Sequence, residues 1–131
     1  MKFAYTIIYV DSVENTLDFY QKAFGFDIRF IDPSKTYGEL ASGETAIAFA
    51  AHTLGDLNFK GEYQKIDPQD LPVGVELAFV TDDVSAAYAH ALSAGAISVV
   101  EPMQKPWGQR VAYVRDLNGV LVELCSPMNG A

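Results

Sequence analysis

The sequence predicts an α+β fold built from two tandem βαβββ modules. An internal repeat, a glycine-closed amphipathic helix in each copy and a train of alternating strands behind each helix predict it. Residues 7–26 read IIYVDSVENTLDFYQKAFGF and residues 77–96 read LAFVTDDVSAAYAHALSAGA. Both run from an apolar strand through an acidic cap into an amphipathic helix that ends on glycine.

In the first copy, Tyr5, Ile7 and Tyr9 alternate with Thr6, Ile8 and Val10, the period of a strand. Asp11 and Glu14 have capping-box spacing for the helix that follows. Val13, Leu17, Tyr20 and Phe24 fall on one helical face, and Gly25 stands where a left-handed cap is wanted. Strands are expected at Asp27–Ile31, Tyr37–Ala41 and Thr45–Ala51, with turns at Asp32-Pro33-Ser34 and Ser42-Gly43. In the second copy Asp82 or Asp83 caps a helix whose buried stripe is Val84, Tyr88 and Ala91, closed by Gly95. Strands follow at Ile97–Val100, Arg110–Arg115 and Val120–Cys125, the last pair joined by a turn at Leu117-Asn118-Gly119. Residues 53–72 carry little pattern and read as a linker with a short helical turn. The expected organisation is one domain over 1–131, with module 1 at about 1–52 and module 2 at about 73–131.

Composition narrows the function. Half of the 131 residues are hydrophobic, enough for a core and against disorder. The formal charge of −8, with nine scattered basic residues, argues against nucleic acid or an anionic membrane as partner. Cys125 is the only cysteine, so no internal disulfide forms, and a reducing cytoplasm is the expected compartment. The run MKFAYTIIYVDS is too short for a signal peptide or membrane helix. No phosphate-binding glycine loop, nucleophile elbow, HExxH or CxxC pair is present.

The strands are apolar on both faces, so the face away from the helices also needs cover. Two modules side by side can curve their sheets around a shared cavity. Glu123 interrupts the apolar run Val120–Leu124, and Glu76 opens the strand of the second module. A carboxylate in such a run is costly unless it meets a partner, a ligand or a metal. The two read either as a pair that shares a proton or grips a cationic group, or as a relic pair bonded to Tyr5, Tyr9 or Arg110. Trp107, held between Pro106 and Gly108, reads as a stacking wall or as a lid on the core edge. Arg110 reads as an anion clamp or as the partner of surface acids. His52 reads as a solvated loop histidine or as a base, His90 as outward-facing or locally packed, and Cys125 as a small buried hydrophobe.

The segments YVDSVENTLDFYQKAFGF, ELAFVTDDVSAAYAHALSAGA and VAYVRDLNGVLVEL resemble the vicinal oxygen chelate superfamily of glyoxalase I, bleomycin-resistance proteins and extradiol dioxygenases. The resemblance implies paired βαβββ units forming a curved eight-stranded cleft, often in a homodimer whose modules pair within or between chains. It also implies metal-ligand positions at Tyr5, Ala48, Glu76 and Glu123. Only Glu123 matches the usual histidine, glutamate or glutamine clearly, and Ala48 cannot ligate. Two carboxylates make a weak site for metals that prefer imidazole.

The expectation is therefore a small-molecule binding protein with a mostly apolar cavity and a degenerate metal site. Its ligand contacts would be Tyr5, Ile7, Tyr9, Ala48, Ala50, Glu76, Trp107, Arg110 and Glu123. No cofactor is expected. The alternative is a glyoxalase-like lyase, isomerase or dioxygenase. There Glu123 and Glu76 would hold a divalent metal or act as acid and base, with His52 as a third group.

Overall fold

The computed structural model describes residues 1–128. Its elements run β1 (Tyr5–Val10), α1 (Val13–Phe24), β2 (Asp27–Ile31), β3 (Tyr37–Ala41), β4 (Ala46–Ala51), α2 (His52–Phe59), β5 (Glu76–Val80), α3 (Val84–Ser93), β6 (Ile97–Gln104), β7 (Arg110–Arg115) and β8 (Leu121–Cys125). The chain divides into two compact units, Met1–Ile66 and Asp67–Ala131. Each holds a four-stranded sheet of the same topology, β1-β4-β3-β2 in the first and β5-β8-β7-β6 in the second. In both, the opening strand pairs parallel with the last and the remaining pairs are antiparallel. This is the predicted α+β fold of two βαβββ modules.

In the first unit, α1 lies against the sheet through Val13, Leu17, Tyr20 and Ala23, all buried, while Phe24 is only half-buried. The tyrosine ring of Tyr20 packs on Phe49 of β4 at 4.9 Å. Gly38 of β3 lets the helix come close. A Cβ there would sit 2.7 Å from a Leu17 methyl and 3.2 Å from a Val13 methyl. Gly25 closes the helix in the left-handed region and donates its N–H to the Gln21 carbonyl.

The expected Asp11–Glu14 capping box is not what caps α1. Ser12 takes the extended cap conformation, and its hydroxyl accepts the Asn15 N–H at 3.1 Å. That frees Asp11 to approach His52 and Glu14 to pair with Lys35 at 3.5 Å.

In the second unit, Asp83 rather than Asp82 caps α3, accepting the Ala86 N–H at 3.0 Å. Val84 and Ala91 are buried, but Tyr88 is half-buried and joins its hydroxyl to Ser98 at 2.6 Å. The helical stripe is therefore core at its ends and polar at its middle. Strand β6 runs four residues beyond the expected Val100, to Gln104, through register shifts that bend it along β7.

The segment expected to be a linker is more ordered than its composition suggests. Its start forms α2, which ends on Lys60 in the left-handed region. Tyr63 then folds back over Gly55, where a Cβ would lie 2.5 Å from the phenol oxygen. Among the described residues, no helix is long and apolar enough to cross a membrane.

Candidate carboxylate site

The β7–β8 hairpin builds the most chemically pointed cluster. Its turn is tightly specified. The Asp116 carboxylate accepts the N–H groups of Asn118 at 2.8 Å and Val120 at 2.9 Å. Gly119 takes φ +95° and donates to the Asp116 carbonyl at 3.1 Å. Arg115 then donates to the Gly119 carbonyl at 2.9 Å and reaches the carbonyls of Pro68 and Asp67 at 3.3 and 3.4 Å. This turn sets the register that places Tyr113 opposite Glu123.

Strand β5 adds the second carboxylate. It pairs parallel with β8, Glu76 beside Leu121 and Ala78 beside Glu123. Side-chain alternation therefore puts Glu76, Ala78, Glu123 and Tyr113 on one sheet face. The opposite face carries Ala112, Val114, Val122 and Leu124, all buried.

The electrostatics of the face follow from this placement. The Glu76 carboxyl is pushed above the usual carboxylate range, by burial first, then by the Glu123 charge and a hydrogen bond to it. The Tyr113 phenol is pushed up to about 12, by burial and by its hydrogen bond to Glu123. The Cys125 thiol is also pushed up, by burial first and then by the Glu123 charge, and its sulfur lies 3.6 Å from the Phe79 carbonyl. It is the small buried group expected. Among the described residues neither glutamate forms an ion pair. The arrangement can hold one proton between two carboxylates, accept hydrogen bonds from a cationic or hydroxyl group, and donate one from Tyr113.

The donor set does not suit zinc, nickel or iron. It offers two carboxylates and a protonated phenol without imidazole. Among the described residues no three His, Cys, Asp or Glu side chains come together in a metal-holding group.

The remaining candidates of the second unit, Trp107 and Arg110, bond to Gln109 and Ser85 rather than to this face. Trp107 is 60% exposed. Its indole N–H bonds the Gln109 side chain at 3.0 Å, and the Lys105 ammonium lies 5.8 Å from its ring centre. Arg110 neither pairs with an acid nor stands free. Its guanidinium donates to Ser85 at 3.1 and 3.3 Å, tying β7 to α3.

In the first unit, Tyr5, Ile7 and Tyr9 pair in register with Ala46, Ala48 and Ala50. Ala48 and Ala50 are fully buried, whereas Tyr5 and Ile7 are exposed. Ala48 holds the position of the sheet that Glu123 holds in the second unit. The carboxylate has moved one strand over, to Glu39, which pairs with Ala48. Glu39 is buried, accepts the Tyr37 hydroxyl at 2.7 Å and lies 3.7 Å from Arg29. Burial, reinforced by the bond to Glu39, pushes the Tyr37 phenol well above its ordinary value.

His52 is not a solvated loop histidine. It starts α2 and is buried, with Nδ1 at 2.7 Å from the Tyr63 hydroxyl and Nε2 at 3.6 Å from Asp11. Burial lowers its pKa, against the pull of Asp11. Tyr9 packs against Phe59 and Tyr63 and accepts from Asn58 at 3.1 Å. His90 is exposed, as expected.

Tyr113, Glu39 and Tyr63 were not among the sequence candidates. Tyr113 was within reach, because counting outward from the Asn118-Gly119 turn pairs it with Glu123. Glu39 was also signalled, as a charge at the inward parity of Tyr37-Gly38-Glu39-Leu40-Ala41. Nothing local in the sequence marks Tyr63.

Comparison with known proteins agrees with this architecture. The family model of the Glyoxalase/Bleomycin resistance protein/Dioxygenase superfamily matches residues 2–124, and the chain belongs to that superfamily. No curated protein sequence matches the chain. Among solved structures, a glyoxalase-related enzyme from Fulvimarina pelagi is 17% identical with a TM-score of 0.81, over 97% of this chain and 88% of that one. A hypothetical protein from S. aureus is 19% identical with a TM-score of 0.78, over 97% and 94%. A glyoxalase/bleomycin resistance protein/dioxygenase family enzyme from Burkholderia phytofirmans PsJN is 23% identical with a TM-score of 0.76, over 94% and 96%. At these identities the likeness is one of fold.

Proposed function

We propose that the protein binds a small, largely apolar molecule bearing a basic or hydroxyl group, which it receives at Glu76, Glu123 and Tyr113. The observation that carries this is the pair of glutamates on neighbouring strands of one face, joined by a hydrogen bond that needs one proton and, among the described residues, paired with no cation. A protonated amine would replace that proton and relieve the repulsion between the carboxylates. Ala78 and Val80 extend the same face of β5, both exposed, and supply apolar surface beside the charge. The overall charge of −8 favours a cationic ligand as well. A reducing, cytoplasmic setting and a homodimeric assembly belong to the same proposal.

A second reading, acid–base catalysis of the lyase or isomerase kind, is favoured by one specific observation. The raised Glu76 carboxyl beside a second carboxyl group and the raised Tyr113 phenol is the arrangement a general acid and base require. His52 is bonded to Tyr63 within the first unit.

The test is a titration with benzylamine followed by amide chemical shifts. Saturable shifts centred on Glu76, Ala78 and Glu123, weakened about tenfold in Glu123→Gln, are expected. Equal binding of benzyl alcohol and benzylamine, or no saturable shift, would overturn the proposal. Elemental analysis of protein purified without chelator tests the metal. A stoichiometric divalent ion lost in Glu123→Ala would sink the metal-free reading.

A further inference from the structure

A second site lies in the first unit, at the end of the sheet. A cavity of about 240 Å³ is lined by Lys2, Phe3, Tyr5, Arg29, Glu44 and Ala46, among others. It is smaller than the ~300–1,000 Å³ of pockets that take drug-sized ligands, so its ligand is a small one. Two of the nine basic residues of an acidic chain converge on it, against a single acid among its lining residues.

Local structure explains how Arg29 arrives. Strand β2 pairs Ile28 with Leu40 and Phe30 with Glu39, leaving Arg29 as the extra residue of a β-bulge. A bulge re-aims the side chain at its centre, and bulges concentrate where a side chain is needed off the regular ladder. Here the guanidinium comes beside Glu39 of β3 and lines the cavity.

The arginine is only partly used. Its one ionic contact, to Glu39, is 3.7 Å, beyond hydrogen-bond reach, and Glu39 already accepts the Tyr37 hydroxyl. The side chain is 62% exposed, and among the described residues its N–H donors make no hydrogen bond. Among the described residues Lys2 forms no ion pair either. Phe3 and Tyr5 are 65% and 54% exposed, unusually open for large aromatics that share one cavity.

We propose that this cavity binds a small organic anion, a carboxylate on an aromatic body, with Arg29 and Lys2 holding the carboxylate and Phe3 and Tyr5 flanking the ring. The planar guanidinium suits a carboxylate, and it can serve Glu39 on one edge and the ligand on another. The aromatic walls favour a flat apolar body over inorganic phosphate. This site goes beyond the carboxylate pair of the second unit and recognises the opposite charge, so either can stand without the other.

The test uses benzoate on the intact chain, read by amide chemical shifts. Saturable shifts are expected at Phe3, Tyr5, Arg29 and Ala46, with benzyl alcohol binding about tenfold more weakly. Arg29→Gln should weaken benzoate about tenfold. Because that variant also strips Glu39 of its cation, Lys2→Gln provides the second measurement. Lys2 precedes β1 and is exposed, so the fold survives and benzoate should weaken several-fold. Equal midpoints for benzoate and benzyl alcohol, no effect of either substitution, or benzoate shifts confined to the second unit would each overturn the proposal. Benzylamine shifts at Glu76 and Glu123 report on the other site alone.

Discussion

Glu123→Gln should stabilise the protein at neutral pH and leave it unchanged in acid. The substitution keeps the shape and a carbonyl to accept from Tyr113, but it removes one of two like charges. Two like charges about 4 Å apart repel by about 1 kcal/mol in water and about 4 kcal/mol at an effective dielectric of 20. Glu76 is exposed and Glu123 half-buried, so solvent screening holds the gain to the low end, about 1 kcal/mol. The sign of the pH dependence follows from Glu76. Its folded pKa lies above the ordinary 4.5, so the unfolded chain releases that proton first as pH rises. Between the two values the native state holds more protons, and stability falls with increasing pH. The cost is absent in acid, where both states are protonated, and complete once pH has passed the raised value. In the variant the contribution of burial remains and that of the Glu123 charge is gone, so the decline is shallower. Urea unfolding at about pH 4 and about pH 8 should therefore give a difference near zero and then about 1 kcal/mol, with an unchanged m-value. A difference independent of pH, or destabilisation at both, would refute the coupling and with it the reason for calling this face a site.

Three other substitutions probe the parts that hold the sites. Gly119→Ala forces a side chain into φ +95° and sets its Cβ 2.9 Å from the Pro68 backbone, so a loss of about 2–4 kcal/mol in urea unfolding is expected. A loss under about 1 kcal/mol would show that the turn does not set the register of the hairpin. The Tyr113 phenol should titrate at about 12 by NMR and move down in Glu123→Gln, since part of its shift comes from that residue. No movement would mean burial alone raises it. Gly55→Ala should displace Tyr63, whose phenol oxygen lies 2.5 Å from the new Cβ, and let His52 titrate closer to its ordinary 6.5. The lost hydrogen bond, about 1 kcal/mol, is offset by a similar gain in helix propensity, so stability should hardly change. An unaltered His52 titration would show that Tyr63 does not keep water from it.

The sheets were legible because their periodicity is local. Strand β7, strand β2 and strand β3 fall where alternation places them, and the repeat identified which strands correspond. The site was legible only as far as one strand. Glu76 and Glu123 stood out against apolar neighbours, but their partner is chosen by register. Register depends on the Asp116–Gly119 turn and on Arg115 gripping residues 67 and 68, far away in sequence. Arg29 was invisible for a similar reason. A bulge leaves no signature in composition, and the register shift after Ile28 could not be read from the strand's residues. His52 was misread because its burial comes from Tyr63, eleven residues on, folding over a glycine in α2.

The two units place the same chemistry on the same scaffold and neutralise it differently. Across the first sheet the matched positions are Ile7, Ala48, Glu39 and Phe30. Across the second they are Ala78, Glu123, Tyr113 and Val100. Each row carries one carboxylate bonded to a tyrosine. In the first, Arg29 stands beside the acid, so Glu39 is balanced within the unit and the surplus of positive charge faces the cavity by Tyr5. In the second, Arg110 lies on the opposite face and is bound to Ser85, and a second glutamate neighbours the first. A structural carboxylate is satisfied by its own unit, as Glu39 is. Among the described residues Glu76 and Glu123 have no such cation beside them, which is the ground for proposing a ligand there and not at the better-buried Glu39.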